Sequence, residues 1–435
     1  MLRSVLTVLM VLTVSGCQAT PQVTEFDLDN GLHVILQPLP TAKTTALVVV
    51  YDFGNRHDPA GQSGMAHMAE HLYVTAATEN TAARNVQEYV THYPDGWNAQ
   101  TGDEYTVIAT VFQPERLSDE FSDAADRMRG INVAQSDLDR ELPRIESELD
   151  NMYDRVPTLA VRNHGRDHVK PLAHGGRRGG HIEQLREVTV EQIQSWLDRH
   201  YKPGNAVLVL AGPFDPELAR EQIEEQFANI PAGEAPAINE LAPRDESRTV
   251  ELAIHKRHAT TPDQVGFAFE APDPGDPLYA AFQVHAARLM VAAMGWARQR
   301  ENLQDVPFTY MTLDDPDFLY ASMPIDEDST PEDSLETLEV LLNRQLSEEF
   351  TEGHRTRVRA VLARFLGTQE LPDRMLAFNP YGTAFALGRR HQLGIDPAAM
   401  TAALDAVDVE QLQQASDRFF APAKRVTVFA LAVPE

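Results

Sequence analysis

The pentapeptide His67-Met68-Ala69-Glu70-His71 contains the residue types from which metal-dependent hydrolases are built. Residues four apart lie on one face of a helix, so both imidazoles can reach one metal ion, with the Glu70 carboxylate beside them. Zinc bound by two histidines and one carboxylate keeps a fourth position for water and lowers the pKa of that water to about 7. Glu70, if it binds no metal, is the candidate base that takes the proton. A solvated helix face is the alternative, because 15 histidines and 65 acidic residues give chance matches.

The surrounding sequence predicts that this pentapeptide lies on a helix after a buried strand. Residues 45–53 (TALVVVYDF) form a β-branched and aromatic stretch typical of a buried strand. Ser63 is the expected cap of the helix that follows, which contains no breaker. Residues 105–112 predict a further strand, and the apolar spacing over residues 117–129 predicts an amphipathic helix. An Asn-Gly turn within residues 24–38 predicts a hairpin near the start of the chain.

Four segments together resemble a known family. They are NGLHVIL at residues 30–36, GNRHDPAGQSGMAHMAEHLYV at 54–74, DGWNAQTGDEYTVIATVF at 95–112 and HYKPGNAVLVLAGPFDPE at 200–217. In this order and spacing they resemble the pitrilysin and insulinase superfamily of inverzincin metallopeptidases, which includes mitochondrial processing peptidase. The similarity covers nearly all of the first half of the chain and, more weakly, the second half.

The resemblance implies a third metal ligand, a glutamate about 77 residues beyond the second histidine, which is Glu148. The family counterpart is a helix with another acidic residue seven positions earlier, here Glu141. Glu146 is a competing carboxylate, and Pro143 removes a backbone donor and would kink a helix at that point.

The implied site is one Zn²⁺ ion per chain. His67, His71 and Glu148 would bind it, and Glu70 would be the catalytic base. The expected substrates are peptides or unfolded protein segments.

Substrate contacts are also implied by the resemblance. Asn98 would lie on an active-site strand whose edge can hold an extended peptide by β-augmentation, with the start of an ordinary strand as the alternative. In the family, the second half lacks the metal motif and contributes an arginine and a tyrosine that hold the substrate. Arg300 and Tyr310 are the candidates here, although they lie further apart than is usual in the family. A surface arginine and a core tyrosine are the alternative.

The chain is expected to be α+β, with two similar domains of the processing-peptidase type that enclose a cavity. Residues 22–228 would form the zinc-binding domain and residues 249–435 an inactive-type peptidase domain. The linker at 229–248 is predicted from three prolines, several charges and the lack of any periodicity. Residues 162–181 are rich in His, Arg and Gly and predict a mobile loop.

The N-terminus predicts export. Residues 1–16 have the basic start, short apolar stretch and small residues of a signal peptide, and the apolar stretch is too short to span a bilayer. The sequence around Cys17 resembles a bacterial lipobox, in which the cysteine is acylated and begins the mature chain; an ordinary signal peptide is the alternative. Gln18 follows the cysteine, which usually implies the outer membrane. The protein is therefore expected on the periplasmic face of that membrane, held by a lipid anchor.

Composition excludes several other functions. The net charge of −28 over 435 residues repels a phosphate backbone, so nucleic acid is not an expected partner. A single cysteine excludes an intrachain disulfide and a thiolate zinc cluster, and the sequence has no GxSxG, P-loop or GxGxxG motif. The prediction is a zinc metalloendopeptidase of the bacterial cell envelope. The alternatives are a lipid-anchored binding protein with an incidental metal and a non-catalytic or partner-dependent scaffold subunit of a peptidase complex. The expected assembly of the protein is a homodimer or a heterodimer with a related subunit.

Overall fold

The computed structural model describes residues 23–172, 176–243, 248–255, 261–297, 308–310, 318–326, 328–366 and 379–433. The predicted lipid attachment site Cys17 and the predicted substrate contact Arg300 lie outside the described residues. Within these ranges, no helix is both long and apolar enough to cross a membrane.

The first half of the chain, before the predicted linker, contains one six-stranded sheet. Its strands are β1 (Thr24–Asp27), β2 (His33–Pro38), β3 (Thr45–Tyr51), β4 (Trp97–Thr101), β5 (Thr106–Phe112) and β6 (Ala206–Gly212). Their order across the sheet is β1-β2-β6-β3-β5-β4, with β2 and β6 parallel and every other pair antiparallel. The predicted hairpin and strands are therefore confirmed, and β4 lies at one edge.

The second half contains a five-stranded sheet. Its strands are β7 (Thr249–Ile254), β8 (Gln264–Glu270), β9 (Phe308–Tyr310), β10 (Phe318–Pro324) and β11 (Val426–Ala432). The order is β7-β11-β8-β10-β9, with β7 and β11 parallel and the other pairs antiparallel. This order and these directions repeat those of β2-β6-β3-β5-β4, so the two halves share one topology. The expected α+β fold with two similar domains is confirmed.

Helices cover the sheets. Those of the first half are α1 (Met65–Thr75), α2 (Val86–His92), α3 (Leu117–Arg129), α4 (Gln135–Asp150), α5 (Pro157–Val169), α6 (Ile182–Leu185), α7 (Val190–His200) and α8 (Pro216–Phe227). Those of the second half are α9 (Tyr279–Ala297), α10 (Pro331–Ser347), α11 (Glu352–Leu366), α12 (Pro380–Gln392), α13 (Pro397–Ala406) and α14 (Val409–Ala415).

The repeated topology shows which second-half element corresponds to the helix of the metal motif. α1 follows β3, and α9 follows the equivalent strand β8. The sequence of α9 contains one histidine, His285, with Leu289 four residues later and no acidic residue. A metal site like that expected on α1 therefore cannot form on α9 alone.

The two halves exchange helices. α5, from the first half, packs on the second sheet, where Ala160 and Val161 join a core with Ala268 and Val428. α12, from the second half, packs on the first sheet, and an added Cβ at Gly388 would lie 2.8 Å from Val50 Cγ2. The boundaries expected for the two domains stay a prediction, because each sheet is covered in part by the other half.

The prediction of a mobile loop over residues 162–181 is wrong for the first part of that range. Residues 157–169 form α5 despite Gly165 and the polar composition around it. An added Cβ at Gly165 would lie 2.8 Å from the Cβ of Ala268, so the small residue permits close packing on β8. Packing on the second sheet therefore stabilises a helix whose own residues have a low helix propensity, and the sequence pattern reflected only that low propensity.

Candidate metal centre

The start of α1 is fixed by Asp58 rather than by the predicted cap Ser63. The helix begins after Gly64, whose φ of 98° suits glycine, and no side chain of the capping residue itself takes part. Asp58 accepts hydrogen bonds from the backbone N–H of Gly64 at 2.7 Å and of Ala66 at 2.8 Å. The Ser63 hydroxyl instead donates to the carbonyl of Arg177 at 3.2 Å.

α1 places the two histidines of the pentapeptide at right angles. The ring centroids of His67 and His71 are 4.8 Å apart and their planes meet at 88°. His67 Nδ1 lies 2.9 Å from the carbonyl oxygen of Gly179, and His71 Nδ1 lies 3.2 Å from a carboxylate oxygen of Glu141. An acceptor at Nδ1 holds the proton there and leaves Nε2 as the metal donor.

Glu148 of α4 completes a group of three donors. Its Oε1 lies 3.6 Å from His67 Nε2, and its Oε2 lies 3.6 Å from His71 Nε2. With zinc bonds of about 2.0 to 2.2 Å, the ligand atoms of a tetrahedral site lie about 3.3 to 3.6 Å apart, and each of the two nitrogen–oxygen separations is at the upper end of that range. One donor atom from each of the three residues lies within 4.8 Å of the other two. Two nitrogens and one carboxylate oxygen also match the donor chemistry of this ion. These three residues could therefore hold the metal.

The glutamates of α4 make different contacts. The helix continues through Pro143, so Glu141 and Glu148, two turns apart, share one face. Glu141 is fully buried and accepts hydrogen bonds from two arginines of α4 as well as contacting His71. Glu146 instead accepts from Arg186 at 2.8 Å. The geometry favours Glu148 over Glu146 as the donor and places Glu141 in contact with His71.

Glu70 lies beside the three donors and is held by a threonine. The hydroxyl of Thr101, at the end of β4, donates to Glu70 Oε2 at 2.7 Å. Burial raises the pKa of Glu70, and the neighbouring histidines offset this only in part. A buried carboxylate with a raised pKa is better matched to proton transfer near neutral pH than an exposed one.

Two of these contacts were missed by the sequence analysis. One is the contact of Thr101 with Glu70. Side chains alternate along a strand, so Thr101 lies on the same face of β4 as Trp97 and Ala99. This alternation would have indicated Thr101 only if the position of β4 beside α1 had been known.

The other is the contact of Gly179 with His67. Gly179 and Gly180 have φ of 76° and 105°, and an added Cβ at Gly180 would lie 2.5 Å from the backbone of Gly64 at the start of α1. The adjacent glycines were the available indication that a loop comes close to α1.

A cavity of about 450 Å³ opens beside these groups. His67, Glu70 and Glu148 line one part of it. Edge strand β4 contributes residues 99–101, and Tyr320 comes from β10 of the second sheet. Four residues of α5 form much of another wall. Both halves of the chain thus line the space next to the metal donors.

Known families match both halves of the chain. The family described as insulinase, peptidase family M16, matches residues 33–168. The family described as the peptidase M16 inactive domain matches residues 187–362. The chain belongs to the pitrilysin and insulinase superfamily. In this superfamily member, the half with the histidine pair matches the peptidase description, and most of the second half matches the inactive one.

Individual relatives agree with this assignment. An uncharacterized zinc protease of Rickettsia felis is 25% identical over 207 residues, which are 48% of this chain and 50% of that protein. The beta subunit of the mitochondrial-processing peptidase of Saccharomyces cerevisiae is 24% identical over 217 residues, 48% of this chain and 45% of that one. The matched part thus spans about half the length of these curated relatives. In fold alone, the chain is similar to the crystal structure of a protease from Helicobacter pylori, with a TM-score of 0.76 at 19% identity over 95% of this chain and 100% of that one.

The remaining predicted substrate residues lie as follows in this insulinase-type chain. Asn98 is on β4, but its amide donates to the Tyr381 hydroxyl at 2.9 Å, and within the described residues it does not line the cavity. The backbone of Tyr310 pairs with Tyr320 across β9 and β10. The roles of Asn98, Arg300 and Tyr310 in substrate binding stay predictions.

A second group of potential metal donors has less suitable geometry. Glu25, His33 and His391 lie close together, but the two rings stack, with centroids 3.7 Å apart and planes at 16°. The nitrogen lone pairs lie in the ring planes, so those of two stacked rings cannot converge on one ion. The perpendicular rings on α1 can do so.

Zinc affinity is expected to rise with pH up to about pH 9. In metal-free protein, burial opposes a charge on His71, but Glu141 and Glu148 outweigh it and raise the pKa of His71 to about 9. Partial desolvation of the half-exposed Glu148 is outweighed in turn by hydrogen bonds from the histidines, which hold the pKa of Glu148 well below the usual range. Zinc must therefore displace a proton from His71 but none from Glu148. The Kd should fall about tenfold per pH unit for each proton displaced and level off above pH 9. Chelator competition measures this, and a constant Kd from pH 6 to 9 would refute it.

Asp58→Ala is expected to lower stability by about 1 to 3 kcal/mol, because two backbone N–H groups at the start of α1 lose their acceptor. Zinc binding should weaken as well, since α1 carries both histidines. Denaturant unfolding and zinc titration measure the two effects. Asp215→Ala is the matched control, because Asp215 accepts from the first backbone N–H groups of α8 in the same way, far along the chain from the metal donors. Unchanged zinc affinity in Asp58→Ala would show that Asp58 does not position the histidines.

Proposed function

We propose that this chain is a zinc-dependent endopeptidase that hydrolyses peptides or unfolded protein segments in the bacterial cell envelope. The observation that carries the proposal is the group of His67, His71 and Glu148, whose facing donor atoms are 3.6 Å apart, with buried Glu70 beside them. The zinc proteases among the relatives support the choice of metal. One ion per chain is proposed, because α9 lacks a second set of ligands.

Glu70 is the proposed base. Zinc bound at this site would polarise the peptide carbonyl and make water acidic enough to lose a proton near neutral pH. Glu70 takes that proton and passes it to the leaving amine, so its carboxylate must face both groups in turn. The hydrogen bond from Thr101 holds one oxygen of Glu70 and leaves the other available for the proton. Glu141 keeps His71 in the orientation that presents Nε2.

β4 is the proposed binding strand for the substrate backbone. It lies at the edge of its sheet, and residues 99–101 line the cavity next to Glu70. An extended peptide can add to such an edge through backbone hydrogen bonds, which demand no particular side chains. Tyr320 lines the same cavity from the second half, and Arg300 and Tyr310 are further candidates for substrate binding.

The test is the metal content and activity of the purified full-length chain. We expect about one zinc per chain and cleavage of a mixed peptide library, with both lost on chelation and restored by zinc. A chain without stoichiometric zinc would overturn the proposal. A zinc-loaded but inactive chain would favour the alternative of a partner-dependent or non-catalytic subunit, in a homodimer or a heterodimer with a related chain.

Attachment to the periplasmic face of the outer membrane through Cys17 is proposed on the lipobox-like sequence. Cys17→Ser is expected to abolish labelling by a radioactive fatty acid and to release the protein from membranes, because acylation needs the thiol. Cell fractionation measures the release, with Ser15→Ala as the control that keeps the thiol. Equal membrane retention of Cys17→Ser would exclude the lipid anchor.

A further inference from the structure

One wall of the cavity is basic although the chain as a whole is acidic. The chain has 37 Lys and Arg against 65 Asp and Glu, yet Arg162, Arg166 and Arg178 all line the cavity that contains the metal donors. The cavity therefore has a carboxylate and imidazole part, formed by α1 and α4, and a guanidinium part. The metal motif itself does not account for the second part.

α5 presents two of these arginines on one face. Its residues that line the cavity are spaced three or four apart, which is one side of a helix: Leu159, Arg162, Asn163 and Arg166. The opposite side packs on the second sheet, where Gly165 allows contact with Ala268 and an added Cβ at Gly266 would lie 2.5 Å from Val161. This close packing fixes the rotation of α5. The guanidinium groups are thus presented by a rigid element.

The three arginines have different roles. Arg178 binds Asp103 at 2.6 Å and Asp167 at 2.6 Å and is almost fully buried. Arg166 reaches the same oxygen of Asp103 at 3.1 Å. Burial of Asp103 is outweighed by Arg166 and Arg178, which lower its pKa to about 2, so this carboxylate stays ionised and ties the two arginines together. Arg162 lies one turn before Arg166 on the same face and is less buried.

We propose that Arg162, supported by Arg166, forms a subsite for a carboxylate of the substrate. The proposal rests on the peptidase function proposed above and names its substrate class: peptides with an acidic group near the bond to be cleaved. A guanidinium pairs with a carboxylate through two parallel hydrogen bonds, and the pairing gains strength where water is excluded. Side chains of a peptide extended along β4 alternate in direction, so a position near the metal can face α5.

The first experiment compares matched peptides on the full-length wild-type chain. A cleavable fluorogenic peptide is made with Glu, Gln or Lys at each of three positions on either side of the cleaved bond. We expect kcat/KM to be about tenfold or more higher for Glu than for Gln at one position, and lowest for Lys. Equal values for the three residues at every position would overturn the proposal without any variant being needed.

Substitution of Arg162 tests whether this residue causes the preference for Glu over Gln. Arg162→Gln should remove the preference for Glu over Gln, and Arg162→Glu should shift the preference toward Lys. Zinc content and thermal stability of the variants are measured alongside. The matched control is Arg220→Gln, since Arg220 is an exposed residue of α8 that binds Glu224. A preference for Glu that survives in Arg162→Gln would reject this subsite.

A binding experiment separates this inference from the proposed hydrolysis. Fluorescence anisotropy of the same labelled peptides on zinc-loaded Glu70→Gln gives Kd values without turnover. Tighter binding of the Glu peptide, lost on adding Arg162→Gln, supports the subsite even if wild type cleaves nothing. Equal Kd values for the Glu and Gln peptides would reject it even if wild type is an active peptidase.

The carboxylate can come from a side chain or from the C-terminus of the substrate. Each peptide is therefore prepared with a free and an amidated C-terminus. A Glu preference that persists after amidation assigns the subsite to acidic side chains. Equal rates for the Glu and Gln peptides, with the free C-terminus preferred over the amide, would overturn recognition of acidic side chains and assign the subsite to the terminal carboxylate.

Discussion

Glu70→Gln is expected to retain zinc and lose hydrolysis by about 10²-fold to 10⁴-fold, the range typical of a missing general base. The amide of glutamine can still accept the hydrogen bond from Thr101, so the geometry next to the donors is preserved while proton transfer is not. Metal analysis and kcat/KM on one peptide measure the two effects.

Thr101→Val is the graded control for this expectation. It removes the hydroxyl that orients Glu70 but leaves the carboxylate, so the loss in kcat should be smaller and the zinc content unchanged. Hydrolysis by Glu70→Gln at the wild-type rate would mean that another group is the base.

Glu148→Ala is expected to remove zinc binding under conditions in which wild type is loaded, because one of three protein donors is lost. His67→Ala and His71→Ala should do the same. Titration with zinc against a chromogenic chelator measures the affinity. The matched control is Glu146→Ala, on the same helix two residues earlier, whose carboxylate binds Arg186 instead.

Glu141→Gln should fall between these variants. Loss of the contact that orients a metal-binding histidine costs about 10-fold to 100-fold in affinity. Zinc retained at wild-type affinity by Glu148→Ala would overturn its assignment as a ligand, and a full loss in Glu146→Ala would point to the competing glutamate.

Elements whose own residues specify them could be predicted from the sequence. The apolar spacing over residues 117–129 predicted a helix with the bounds of α3, and the buried strand β3 lies within the β-branched stretch 45–53. α5 could not be predicted, because its apolar side becomes favourable only against the second sheet. The cap of α1 was misassigned to Ser63 because Asp58, six residues before Gly64, reaches the helix only through the fold.

Some residues of the candidate site could likewise be predicted from the sequence, and others could not. The histidine pair and Glu70 follow from helical spacing, and Glu148 follows from a family spacing that the 3.6 Å separations fit. Thr101 and Gly179 come from a strand and a loop that contact α1 only after the sheet and α4 have packed. Nothing in the chemistry of Thr101 or Gly179 distinguishes them from the other threonines and glycines of the chain, so the sequence alone does not indicate them.

The exchange of α5 and α12 has a consequence for how the chain acquires its structure. One face of each sheet is covered by a helix from the other half. The contacts of α12 with β3 join residues more than 300 positions apart, such as Val50 and Gly388. Contacts of such high sequence separation form slowly and late. We therefore expect the two halves to unfold in one cooperative transition, with tryptophan fluorescence and circular dichroism giving coincident curves. Until the second half has packed, the first half exposes an apolar sheet face, and such a surface favours aggregation of a partly folded chain.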